Sequence, residues 1–238
     1  MMAVLEKIPK EKLFFSPDQC SWQLGNQVHV WKFPVSGFDF SLLTKSEKEF
    51  TGRFRFEGDR NRYATGRQAL RTVLSKYLTV SPGEVGISDQ RNQKPYIISP
   101  SSQIQFNISH SGEWVLIALA NLELGVDIEK INPEFSFREL LEDHFSEAEQ
   151  TFISESANPV SAFYYLWTRK ESLTKAWGTG LQENLKQVSV LDAIIEKGNK
   201  FWNVRSFNLA EDYMAAVSFP DNLNNIIFIN GIGFCSTA

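Results

Sequence analysis

Two short polar stretches one hundred residues apart constrain what this chain can fold into. Ser46-Glu47-Lys48-Glu49 and Ser146-Glu147-Ala148-Glu149 each offer a serine N-cap with carboxylates in the first turn, where the helix dipole favours negative charge. A long helical pattern follows each of them, over residues 57–79 and 160–177, and strand-like runs follow each helix. A period near one hundred is too long for a solenoid. The spacing therefore predicts an α+β fold built from a duplicated unit. It would have two similar α/β halves, residues 1–120 and 121–238, each a small antiparallel sheet packed on one long helix.

In the first long helix Tyr63, Gly66, Ala69, Leu70, Val73, Leu74 and Tyr77 recur at helical spacing, and Ala64, Gly66 and Ala69 are small enough for close packing. Strands are predicted at Ile104–Ile108, Trp114–Ala120 and Leu124–Ile128. In the last third they are predicted at Gln187–Leu191, Trp202–Phe207, Tyr213–Ser218 and Ile226–Ile229. With 238 residues, 19 of them Phe, the chain can bury a substantial core. Only Cys20 and Cys235 are present, in no metal-type spacing, which points to a reduced, cytoplasmic compartment. The first residues lack the apolar core of a signal peptide, and no run reaches transmembrane length, so no membrane partner is expected. A net charge of −4 argues against general nucleic-acid binding.

Several residues can carry chemistry. In Val126-Asp127-Ile128-Glu129 strand alternation sends Asp127 and Glu129 to one face, with Val126 and Ile128 to the core. Paired carboxylates repel unless a cation lies between them, and hard oxygens suit Mg²⁺; an edge strand with a solvated acidic face is the plainer alternative. Glu171 and Lys175 share a helix face, which fits a surface ion pair, but Phe163, Tyr164, Leu166, Trp167, Leu173 and Trp177 make that helix apolar enough to line a cleft. Gly178-Thr179-Gly180 supplies its C-cap. Phe106–Gly112 reads as a tight polar turn in which Ser109, His110 and Ser111 offer donors to an anion, outside any Ser-His-Asp hydrolase context. His29 and His144 read as structural. Arg53, Arg55, Arg60, Arg62, Arg67 and Arg71 concentrate positive charge in an acidic chain, as a phosphorylated ligand would need.

Taken in order, Lys94-Pro95, Phe-Asn-Ile-Ser-His-Ser-Gly (106–112), Gly-Val-Asp-Ile-Glu (125–129) and Trp-x-x-Lys-Glu-Ser-x-x-Lys (167–175) resemble the 4'-phosphopantetheinyl transferases. Specifically, the chain looks like the monomeric, surfactin-synthetase-activating (Sfp) type that primes nonribosomal peptide and polyketide synthases of secondary metabolism, and the resemblance spans residues 45–191. The resemblance implies two halves related by a pseudo-twofold axis with the active site between them. It implies Asp127, Glu129 and Glu171 as Mg²⁺ ligands, Glu171 also activating the acceptor hydroxyl directly or through water, and Lys175 neutralising the pyrophosphate. Ser109 and His110 would hold the 3'-phosphate of coenzyme A, Lys94 a phosphate or the adenine side, and Arg53 and Arg62 would belong to a basic N-terminal segment. Gln93 departs from the glycine usual before Lys-Pro. The implied reaction moves 4'-phosphopantetheine from coenzyme A to a serine of an apo acyl, peptidyl or aryl carrier protein and releases 3',5'-ADP. A coenzyme A-binding module without catalysis and a metal-dependent phosphodiesterase are the competing classes. Phe135–Leu141 is either part of a carrier-docking surface or a helix packed on the second half.

Overall fold

The computed structural model describes residues 14–35, 41–88, 94–179, 184–223 and 225–234. Strands β1 (Phe14–Phe15) and β2 (Gln27–Pro34) precede helices α1 (Lys45–Thr51) and α2 (Glu57–Leu78). A small pair, β3 (Gly86–Ile87) and β4 (Ile97–Ser99), leads into β5 (Gln105–Ser111), β6 (Trp114–Ala120) and β7 (Gly125–Lys130). Then come α3 (Arg138–His144), α4 (Glu147–Ser154) and α5 (Pro159–Trp177), followed by β8 (Ile194–Lys197), β9 (Lys200–Ala210), β10 (Tyr213–Pro220) and β11 (Asn225–Asn230). The long helices start and stop within a residue of the expected spans. Gln93, Gly180 and Cys235 lie outside the described residues.

The strands form two main sheets, β1-β11-β2-β6-β5 and β7-β10-β9-β8. Period-2 alternation divides their side chains between three cores. Trp31, Phe33, Val115, Ile117 and Leu119 face α2, meeting Leu70, Val73 and Leu74. The opposite parity, Val28, Val30, Leu116 and Ala118, meets Val126, Ile128, Ala215 and Val217 between the two sheets. Phe145, Ile153, Phe163, Leu166 and Leu173 pack with Val204 and Met214 to form the third core, against α4 and α5. Apolar side chains therefore fill both faces of both sheets, in helix–sheet–sheet–helix order.

The structure corrects several expectations. The first sheet is mixed, not antiparallel, because β11 joins it and runs parallel to both β1 and β2. The strand expected at Ile226–Ile229 thus completes the first sheet although it belongs to the C-terminal third. Its two faces serve two cores, Phe228 between the sheets and Ile229 against α2, as in a strand buried on both sides. The N-cap of α1 is Thr44, not Ser46: Thr44 and Glu47 form a reciprocal capping box that turns Glu47 inward onto Arg67 and Arg71. Ser146 does cap α4, with Glu149 completing the box.

The strand expected at Ile104–Ile108 is present as β5 but runs on to Ser111, so the turn expected over 106–112 is confined to Gly112-Glu113. Gln187–Leu191 is not a strand either. A 3-10 turn at Leu185–Gln187 opens an irregular segment whose backbone is held by buried charges, with Lys170 Nζ donating to the carbonyls of Leu185 and Val188 (2.8 and 2.6 Å). Arg169 Nε donates to Val190 O (2.6 Å), and Val190 N donates to Glu149 (2.9 Å). Phe137 stacks on Phe163 (4.6 Å between ring centres), so the 135–141 segment packs on α5, with Phe135 left at its exposed margin. His29 is buried with Nδ1 2.6 Å from the Tyr77 hydroxyl, and His144 stands edge-on to Trp167, both as the structural reading expects. Among the described residues no helix is long and apolar enough to cross a membrane.

Candidate active site

Alternation along β7 builds the first wall of the site. Val126 and Ile128 are committed to the core between the sheets, so Gly125, Asp127 and Glu129 must face α5. At Gly125 the helix comes into backbone contact: a Cβ there would lie 2.0 Å from Ser172 O and 2.4 Å from Ala176 N. This missing side chain brings the second wall close, because Glu171 and Lys175 flank the contact on α5. Lys175 Nζ is 2.6 Å from Asp127 Oδ1 and donates to Ser109 Oγ at 3.1 Å.

The third wall is β5. Its Asn107, Ser109 and Ser111 alternate with Phe106 and Ile108, which join the α2 core. Asn107 Oδ1, Ser109 Oγ and Ser111 Oγ accept the N–H groups of Val126, Ile128 and Lys130 (2.8, 3.3 and 3.0 Å). Three side chains thereby satisfy backbone donors that the free edge of β7 would otherwise leave unpaired. The same two hydroxyls donate to the carboxylates, Ser109 to Asp127 Oδ1 (2.9 Å) and Ser111 to Glu129 Oε2 (3.0 Å). The O–H of Ser109, expected to serve a phosphate, is therefore directed at Asp127 in this arrangement.

The electrostatics are those of crowded carboxylates. Burial, then the charges of Asp127 and Glu171, push Glu129 up to about 7 against the pull of Ser111 and Lys175. Burial and then Asp127 also raise Glu171, with Lys175 opposing. The three expected carboxylates thus share one field. Among the described residues no group of three or more His, Cys, Asp or Glu side chains converges tightly enough to hold a metal; Lys175 is the cation seated on Asp127. Two features nevertheless fit a divalent ion: the donors are hard oxygens, and Asp127 Oδ2 is buried without a hydrogen-bond partner.

The expected anion-binding residues divide. His110, Arg62 and Lys175 lie near one another: His110 is solvent-exposed, but the protein packed around its ring, and then the charges of Arg62 and Lys175, lower its pKa. Arg62 pairs with Asp59 and donates to Gly112 O (3.2 Å) at the β5–β6 turn. Lys94 reaches the start of β7, donating to Leu124 O, and burial lowers its pKa to about 8 despite Glu123. Arg53 is exposed in the turn between α1 and α2. Arg67 and Arg71 are turned inward on Glu47, so the arginine run is not one surface patch.

Reading the sequence missed four contributors: Gly125, Ser111 as a carboxylate partner, and the buried pair Lys170–Glu149 (2.9 Å, both fully buried). Alternation of apolar and hydroxyl residues over 106–111 was the available signal for Ser111.

Residues 30–122 match the family "4'-phosphopantetheinyl transferase, N-terminal", and residues 123–218 match the "4'-phosphopantetheinyl transferase superfamily". A 4'-phosphopantetheinyl transferase of Bacillus subtilis is 29% identical over 198 residues, 78% of this chain and 87% of the relative. The transferase Sfp of Bacillus subtilis strain 168 is 32% identical over 152 residues, 63% and 66% of the two chains. The L-aminoadipate-semialdehyde dehydrogenase-phosphopantetheinyl transferase of Schizosaccharomyces pombe is 31% identical over 172 residues, 65% and 67%.

Proposed function

Since the chain belongs to the 4'-phosphopantetheinyl transferase superfamily, we propose that it transfers 4'-phosphopantetheine from coenzyme A to a serine of an apo carrier protein, with Mg²⁺ as cofactor and 3',5'-ADP as the second product. The observation that carries this reading is the meeting of β7 and α5, which sets Lys175 Nζ 2.6 Å from Asp127 beside Glu129 and Glu171. Asp127, Glu129 and Glu171 would hold the ion, which when bound neutralises charge on the pyrophosphate oxygens. Glu171 takes the proton of the acceptor serine, directly or through water. The serine oxygen bonds to the β-phosphorus of coenzyme A as the bond from that phosphorus to the bridging oxygen of 3',5'-ADP breaks. Lys175 moves its ammonium from Asp127 to the charge that collects on the departing phosphate.

His110 and Arg62 face the 3'-phosphate, with Ser109 joining when its hydroxyl turns from Asp127 to the ligand. Arg53 and Lys94 serve the outer phosphates or the adenine side. The enzyme is read as a monomeric, cytoplasmic, Sfp-type transferase serving carriers of secondary-metabolite synthases, which the 32% identity to Sfp supports. Its halves are read as related by a pseudo-twofold axis. In support, each half buries the glutamate of a capping box against a basic residue of its long helix, Glu47 on Arg71 and Glu149 on Lys170.

The test is incubation with coenzyme A, Mg²⁺ and a panel of apo acyl, peptidyl and aryl carriers, followed by intact mass. Modification of at least one carrier and equimolar 3',5'-ADP are expected, with Glu171→Ala folded and inactive. Release of 3',5'-ADP without any carrier, or undiminished transfer by Glu171→Ala, would overturn the reading.

A further inference from the structure

Among the described residues Ser111 is the side chain hydrogen-bonded to both the β7 backbone and the Glu129 carboxylate. Its Oγ accepts the Lys130 N–H at 3.0 Å and donates its proton to Glu129 Oε2 at 3.0 Å. The N–H bond fixes where the hydroxyl oxygen sits, and the remaining O–H can then point in few directions, one of which is the carboxylate. Ser109 makes the same pair of bonds one repeat earlier, to Ile128 N and Asp127 Oδ1. Asn107 occupies the third rung, accepting Val126 N at 2.8 Å, but the next inward-facing position on β7 is Gly125 and offers it no carboxylate. The seam between the sheets is therefore also the device that orients the acidic pair.

We infer that Ser111 is a positioning residue that holds Glu129 in the rotamer needed to ligate the divalent ion. The inference rests on the metal role given to Glu129 above. A carboxylate on a strand rim has several rotamers open to it, and a carboxylate ligand whose own orientation is hydrogen-bonded binds metal more tightly than one left to search. Glu129 is the member of the set most in need of such support. Asp127 is shorter, is almost fully buried and is gripped by Lys175 as well as Ser109, whereas Glu129 is only half-buried and has Ser111 as its hydrogen-bonded side-chain partner among the described residues.

The experiment is a Mn²⁺ titration of the full chain with coenzyme A present, followed by electron paramagnetic resonance, on wild type, Ser111→Ala, Ser111→Thr and Asn107→Ala. Ser111→Ala should weaken Mn²⁺ binding by about 10-fold or more, the loss typical when a ligand's supporting hydrogen bond is removed. Ser111→Thr keeps the hydroxyl on a strand that tolerates β-branching and should restore the affinity. Asn107→Ala breaks an equivalent rung without touching a carboxylate, so it should lower the urea midpoint while leaving Mn²⁺ affinity unchanged. An unchanged affinity in Ser111→Ala, or an equal loss in Asn107→Ala, overturns the inference. Wild type that binds no Mn²⁺ removes the metal reading and the inference together. Because no carrier is needed, failure of transfer to any carrier tests the proposed function separately.

Discussion

Replacing Gly125 with alanine puts one methyl group where β7 and α5 meet. Its carbon would lie 2.0 Å from Ser172 O, 2.4 Å from Ala176 N and 3.0 Å from Lys175 C. All three are backbone atoms of a helix that is also packed on Phe145 and Ile153 from outside the sheet, so no side chain can swing aside. Ordinary contact requires roughly 3.4 Å, so the helix must retreat by about 1 Å or more. Glu171 and Lys175 ride on that helix, and the Lys175–Asp127 distance would open from 2.6 Å toward ~4 Å. A misplacement of that size costs about 100-fold in rate, or roughly 2.7 kcal/mol on the barrier. Overpacking should add a stability loss of about 1–3 kcal/mol.

Gly66→Ala is the matched control. It also sits where a long helix meets strands, but its Cβ would find Ile108 Cγ2 at 3.6 Å and Val115 Cγ1 at 3.7 Å, ordinary contact. In a helix interior this change should stabilise by about 0.5–1 kcal/mol and leave transfer unaltered. The assay is kcat/KM for carrier modification by intact mass, paired with urea unfolding of each variant. Wild-type kcat/KM in folded Gly125→Ala would refute the argument that close backbone approach assembles the site.

Two further results are expected. Lys170→Met leaves Glu149 buried without its ion pair and removes donors from Leu185 O and Val188 O; it should cost about 3–5 kcal/mol in chemical denaturation, with Glu149→Gln in the same protein recovering part of the loss. The second concerns pH. Burial lowers His29 from 6.5 to about 4, so between those values the unfolded chain takes up a proton that the folded chain refuses. Stability should fall as pH drops from about 6.5 to 4, by about 3 kcal/mol in total. His29→Gln should remove this share of the slope, measured as the difference between the two urea-midpoint profiles.

How much was legible in the chain differs from element to element. Both long helices and β6 could be read almost to the residue, because their apolar repeats are strong and local. The strand repeat of about 2 placed Asp127 and Glu129 on one face, the helix repeat of about 3.6 placed Glu171 and Lys175 on another, and the motif order named the enzyme family. The errors have one physical cause, that a segment's partner is not written in the segment. Residues 109–111 look like a polar turn until β7 is set beside them and the hydroxyls of Ser109 and Ser111 each receive an N–H. Gln187–Leu191 has the apolar content of a strand, but buried Lys170, Arg169 and Glu149 take its backbone groups instead.

Lys170 and Lys175 make the division plain. By itself the sequence determined that both lie on one largely apolar helix. Only the tertiary structure decided that Lys170 is sealed against Glu149 to hold an irregular segment, whereas Lys175 pairs directly with Asp127 of β7. The two positions are five residues apart, so they point to different sides of α5, and what waits on each side is set by contacts from distant parts of the chain.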